Sequence, residues 1–175
     1  SRIPDPAATA DAMVLFEEVA ARDGSFSSRA RLEQAAILTS QGKPLEANLV
    51  IDKVLSSSPD HVMKATALIE KGKNFYTLGA QDPANYKLAI EVWKQVASEE
   101  VSDPAWRNQA LTRIGTAFEK SGDDNAAVAS YYEVFKPNSA PPAEFFWFYK
   151  AGFAAGRIFE FQQKWSEAIR VYEIM

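Results

Sequence analysis

The feature that most narrows the folds open to this chain is a small residue and a large one recurring at fixed offsets. Four segments carry an alanine followed four residues later by a large apolar side chain: Ala47 to Ile51, Ala89 to Trp93, Ala127 to Tyr131 and Ala168 to Tyr172. A fifth, Ala12 to Phe16, stands near the start with no matching pattern ahead of it. Successive alanines lie 35, 42, 38 and 41 residues apart. Self-similarity at such a period marks stacked units, none of which can bury its apolar face alone.

Upstream of each of the four alanines lies a second pattern, clearest as Leu111-x2-Ile114-Gly115-x2-Phe118. Its counterparts are Arg31, Gln34, Ala35 and Leu38; Leu68, Lys71, Gly72 and Phe75; and Gly152, Ala155, Gly156 and Phe159. Steps of three, one and three place these residues on one face of a helix. The small residue at Gly72, Gly115 or Gly156 lets a partner helix come close, and the alanine of the second helix is expected opposite it. Between the two helices come short breakers: Gln41-Gly42-Lys43-Pro44, Ser121-Gly122-Asp123-Asp124 and Gln162-Gln163-Lys164-Trp165. Gly42 and Gly122 suit the left-handed position that ends a helix, and Pro44 suits the first turn of the next. Phe75 to Ala89 is five residues longer than its counterparts, so 80–84 is read as an insertion at a hairpin tip, where lengthening costs little closure entropy.

This pattern resembles the tetratricopeptide repeat (TPR), a helix-turn-helix unit of about 34 residues with small and aromatic residues at these offsets. The stretch from Asn108 to Phe135 matches best. Residues 28–59 match in the second helix and in the closing Pro59, while Arg31 and Gln34 stand where the family has large apolar residues. The resemblance implies an all-α fold: a right-handed α-solenoid of antiparallel helical hairpins. It divides one repeat domain, 1–175, into an orphan second helix (8–22) and repeats at 28–59, 61–100 (with the tip insertion), 104–136 and 143–175. An ordinary helical bundle would need the same order and spacing to arise four times by coincidence. A coiled coil is disfavoured because Gly and Pro interrupt every apolar run.

Composition removes several function classes. The formal charge is −4 with the two signs interspersed, and no Lys/Arg cluster could neutralise a row of phosphates, so nucleic acid is not an expected partner. The chain has no cysteine and one histidine, His61, which excludes thiol chemistry and leaves no partner for a zinc site or a serine triad. His61, following Asp60, is read as a surface or helix-capping residue. The acidic pairs Glu17-Glu18, Glu99-Glu100 and Asp123-Asp124 are sequence neighbours, not carboxylates facing across a cleft, and Asp123-Asp124 suits a helix N-terminus. No phosphate-cradling glycine motif occurs. The expectation is a non-catalytic chain with no metal and no cofactor.

The longest apolar stretch, Phe145 to Phe161, is broken by Lys150, Arg157 and Glu160, which argues against a membrane span. Gly152-x3-Gly156 within it is read as close packing inside a hairpin. A soluble chain follows, cytoplasmic or of the periplasm and cell envelope. It opens Ser1-Arg2-Ile3-Pro4 without an initiator Met, and Val171 to Met175 ends in a helical pattern. It therefore reads as a piece of a longer repeat protein, or one whose end helices self-associate.

The resemblance also implies a concave groove lined by first helices, and a protein or peptide as its occupant. The residues it assigns there are Ile69, Lys73, Tyr76, Thr112, Thr116, Glu119, Lys150, Phe153, Arg157, Glu160 and Phe161. A subset of the family grips a terminal carboxylate with Lys, Asn and Arg, but here Leu32, Ala36, Thr66 and Gln109 occupy those places and only Arg113 is of a suitable type. Five consecutive aromatics, Phe145 to Tyr149, must point around more than half a helix; Phe146 and Phe153 are the candidates for exposed anchors. Two further expectations stand beside the groove: a repeat region that orients a catalytic domain of a longer chain, and an assembly module working through its end helices.

Overall fold

The computed structural model describes residues 6–22, 26–98, 103–135 and 145–175. Among them the chain forms nine helices: α1 (Pro6–Ala21), α2 (Ser27–Ser40), α3 (Pro44–Ser56), α4 (His61–Leu78), α5 (Ala84–Ala97), α6 (Pro104–Lys120), α7 (Asp124–Tyr132), α8 (Phe145–Phe161) and α9 (Trp165–Ile174). No strand occurs among the described residues. Helices α2/α3, α4/α5, α6/α7 and α8/α9 pair as antiparallel hairpins, each second helix packs on the next first helix, and α1 lies on α2. The result is a right-handed solenoid.

The turns follow from local chemistry. Gly42 and Gly122 take φ of 75° and 78°, and Gln163 takes 58° at the equivalent place. In all three hairpins the next residue's N–H reaches five residues back, from Lys43 to Leu38, Asp123 to Phe118 and Lys164 to Phe159, closing the last helical turn. Asp60, Asp103 and Asp123 cap α4, α6 and α7 by accepting from the backbone N–H groups of Met63, Ala105 and Ala126. The cap is thus Asp60, while His61 is the exposed first residue of α4. The extra residues of the second hairpin are shared between the last turn of α4, the tip at 79–83 and the first turn of α5.

The glycines lie at helix crossings, but what seats on them differs from the expectation. A Cβ on Gly72 would run into the Trp93 ring, on Gly115 into Tyr131 and on Gly156 into Tyr172, in each case well under 3.0 Å. The side chain over the glycine is therefore the large residue four positions after the alanine, not the alanine. In the first hairpin the small position is Ala35 and the large one Ile51, buried together in one cluster. A bigger floor takes a smaller lid. Trp93 adds a hydrogen bond from its indole N–H to the Ile69 carbonyl at 3.2 Å.

The joints between hairpins differ too. Ile90 on α5 and Ala117 on α6 share the central core. The equivalent pair at the first joint is Asn48 and Asn74, where Asn74 Nδ2 donates to Asn48 Oδ1 at 2.9 Å and Thr39 donates to Asn74 Oδ1 at 2.9 Å. Asn48 Nδ2 is buried without a hydrogen-bond partner.

Candidate partner-binding groove

The first helices α2, α4, α6 and α8 lie side by side, so residues at one offset from the small position form rows across them. The residue three before it is Ile69 on α4, Thr112 on α6 and Phe153 on α8. Ile69 and Thr112 are each only 2% exposed, whereas Phe153 is 60% exposed. Ile69 is therefore a core residue packed with Trp93, a correction to its groove assignment. The physical reason is that the next first helix covers this offset. Thr112 is buried for the same reason; its hydroxyl donates to the Asn108 carbonyl at 2.8 Å and only its edge reaches the groove.

Thr112, Thr116, Glu119, Lys150, Phe153 and Arg157 are brought together around one open cavity of about 490 Å³ between α6 and α8. Sequence reasoning did not assign Lys120, Ala154 and Tyr131 to it. Tyr131 comes from the second helix α7. Its position marks it as a packing residue, and it is buried, but its hydroxyl passes Gly115 to lie beneath the cavity. That hydroxyl donates to Glu119 and lies 3.3 Å from the Thr116 hydroxyl. Burial first, then the bond to Glu119, pushes the Tyr131 pKa well above the ordinary phenol value. Glu119 also accepts from Arg157 at 3.2 Å, so a carboxylate is held between α7 and α8.

Of the other expected residues, Lys73 is ion-paired to Glu70 at 2.6 Å. Tyr76 is half-buried, its ring 5.4 Å from Tyr86 and 6.1 Å from Trp93, and burial raises its pKa. Glu160 accepts from the Tyr172 hydroxyl at 3.1 Å. Phe161, 86% exposed, stands at the end of α8 and does not line the cavity. The aromatic run divides: Phe148 packs into the last core beside Phe135, while Phe145, Phe146 and Tyr149 are exposed.

Arg113, Lys150 and Phe146, which the sequence singles out one by one, belong to a row that it does not reveal. Arg113 on α6 points its guanidinium over Trp93 (6.0 Å) and Trp147 (5.4 Å), and Lys150 approaches the rings of Trp147 (5.1 Å) and Phe146 (5.5 Å). Cation and ring alternate from Trp93 on α5 through Arg113 on α6 to Trp147 and Lys150 on α8. The sequence signal was the spacing of Trp147 and Lys150 on α8, but their register against Arg113 needs the stacking angle of the hairpins.

No protein-family model matches the chain, and no curated protein matches it. Solved structures do. MamA RS-1, in a double-mutant form, superposes with a TM-score of 0.65 at 19% identity, covering 96% of this chain and 83% of that one. A crystal structure of MamA gives 0.61 at 16% identity, over 99% and 94%. A kinesin light chain-like protein of Podosopora anserina with nearly identical TPR-like repeats gives 0.66 at 17% identity, over 96% and 85%. This is a TPR-like fold. The cavity described above opens between two successive first helices of this fold, α6 and α8. Among the described residues no helix is long and apolar enough to cross a membrane.

Proposed function

We propose that the chain is a non-catalytic scaffold that holds a peptide or helix of another protein in the concave groove, centred between α6 and α8. One observation carries this reading. Two successive first helices converge on an open, mixed polar and aromatic cavity whose floor, Tyr131 and Glu119, is already fixed by hydrogen bonds. A pre-ordered floor lowers the entropy lost on binding. The test is a photo-crosslinker in place of Thr116, with the same group in place of Lys53 on α3 as a control. Capture of a partner from position 116 and not from 53 supports the groove; equal capture, or capture from 53 alone, sinks it. Phe153→Ala should weaken that capture with little change in melting temperature, since the ring is 60% exposed.

A second reading, assembly through α9, is favoured by its bare apolar face. Trp165 and Ile169 are 60% and 56% exposed, while their equivalents in the second hairpin, Tyr86 and Ile90, are 8% and 4% exposed. Sedimentation velocity tests it; a monomer persisting at high concentration overturns it.

A further inference from the structure

We propose that the groove's occupant is an acidic peptide whose Asp or Glu side chains are gripped by Arg113 and Lys150 beside Trp147; this rests on the groove reading above. The argument is an accounting of charge. On the two helices that flank the cavity each carboxylate already has a partner: Glu119 on α6 takes Arg157 and Tyr131, and Glu160 on α8 takes Tyr172. Three cations of α6 and α8, Arg113, Lys120 and Lys150, have no carboxylate partner among the described residues, and Arg113 and Lys150 stand within 5.4 Å of the centroid of the Trp147 ring.

Arg113 is the more telling. Its Nε is buried and has no hydrogen-bond partner. A tryptophan face attracts the guanidinium charge but does not accept its in-plane N–H donors. Burial lowers the Arg113 pKa, and the field of Glu70 offsets that desolvation only in part. Lys150 is exposed at the mouth of the cavity, its stem along α8 and its ammonium over two rings. A carboxylate is the group that completes both, because it accepts several strong charge-assisted bonds at once. A polyphosphate chain fits less well, because Arg113 and Lys150 cluster about one ring and do not form a row.

The experiment uses the full chain labelled with ¹⁵N and two capped peptides of repeated Ala-Glu-Glu-Leu and Ala-Gln-Gln-Leu. Affinity is read by anisotropy, and contact by the Nε–H resonance of Arg113 and the indole N–H of Trp147. The glutamate peptide should bind about tenfold tighter or more at low salt and move the Arg113 resonance. That preference should shrink as salt is raised. Arg113→Met and Lys150→Met should each remove most of the preference; the exposed Lys150 keeps the test valid if Arg113→Met folds poorly. Equal affinity for both peptides, with the Trp147 signal moving in each, overturns the proposal and leaves the groove reading standing. An Arg113 resonance that stays fixed with the glutamate peptide also overturns it, and crosslinking from position 116 then judges the groove separately. An oligothymidylate that displaces the glutamate peptide would overturn it in favour of phosphate.

Discussion

Gly115→Ala probes the closest contact in the fold, and its cost can be worked from the geometry. The new methyl would lie well under 3.0 Å from the Tyr131 ring, which is completely buried. Carbon atoms rest about 3.5–4.0 Å apart, so the ring has to move by about 1 Å. It is not free to do so, because its hydroxyl is tied to Glu119 and lies beside Thr116. Overpacking of this kind costs about 1–3 kcal/mol. Loosening a hydrogen bond to a charged acceptor adds about 1.5 kcal/mol. Alanine in place of glycine inside a helix returns about 1 kcal/mol. The expected destabilisation is about 1.5–3.5 kcal/mol, read by urea unfolding with far-UV circular dichroism.

The first hairpin supplies the rescue. There the native pair is Ala35 with Ile51, the same two heights with a larger floor and a smaller lid. Tyr131→Ile alone should be destabilising, since it empties space above Gly115. Combined with Gly115→Ala it should recover more than about 1 kcal/mol relative to the sum of the single changes. Additivity within about 0.5 kcal/mol would refute the idea that floor and lid are matched in size.

The polar first joint makes a second cycle. Asn74→Ala strands Asn48 in the interior and should cost about 1–3 kcal/mol, whereas Asn48→Ile with Asn74→Ala copies the Ile90/Ala117 joint and should unfold no earlier than the parent in urea. Tyr131→Phe tests the phenol. A folded-state pKa raised above the unfolded value of about 10 gives stability that is intact below pH 10 and lost as pH rises beyond it. Above that pH the parent should therefore lose stability more steeply than Tyr131→Phe, by up to about 1.4 kcal/mol per pH unit, and parallel profiles would refute this. Gln163→Gly relieves a left-handed residue where the other hairpins have Gly42 and Gly122, and should raise stability by about 0.5–1 kcal/mol in a thermal melt.

The repeat architecture was legible because it depends on local spacing. Small and large residues at offsets of three, one and three fix which helix face is buried, and Gly42, Pro44 and Gly122 fix where the chain turns. The lid over each glycine was misread because four residues is a little more than one helical turn. That places Tyr131 nearly above Ala127, and only the crossing angle decides which of the two meets Gly115. The groove was harder still. Tyr131 belongs to a second helix by every sequence criterion, yet its buried hydroxyl passes the glycine to lie under the cavity against Glu119 and Thr116, because a phenol is longer than the gap that a glycine opens. Arg113 looked like a lone remnant of a carboxylate clamp, since its partners Trp93 and Trp147 come from neighbouring hairpins on either side.

Ile69, Thr112 and Phe153 occupy one offset in three successive first helices, yet two are buried and one is bare. Sequence type does not explain this, because threonine is the polar member and it is inside. The cause is coverage. In α4 and α6 the offset turns toward the first helix that follows, α6 or α8, while among the described residues no first helix lies beyond α8. Ile90 and Ile169 show the same contrast on the second helices. Exposure in a stack is thus set by what lies next along the axis, and concave accessibility has to be argued from offsets that no neighbour covers. Thr116 and Arg157, one residue past the glycine, pass that criterion in their own repeats, and Lys150 passes it at six residues before. They define the groove more securely than Phe153 does, whose ring faces both the cavity and the open axial face. Loss of capture on changing Phe153 but not Lys150 would accordingly move the binding surface from the groove to the end of the stack.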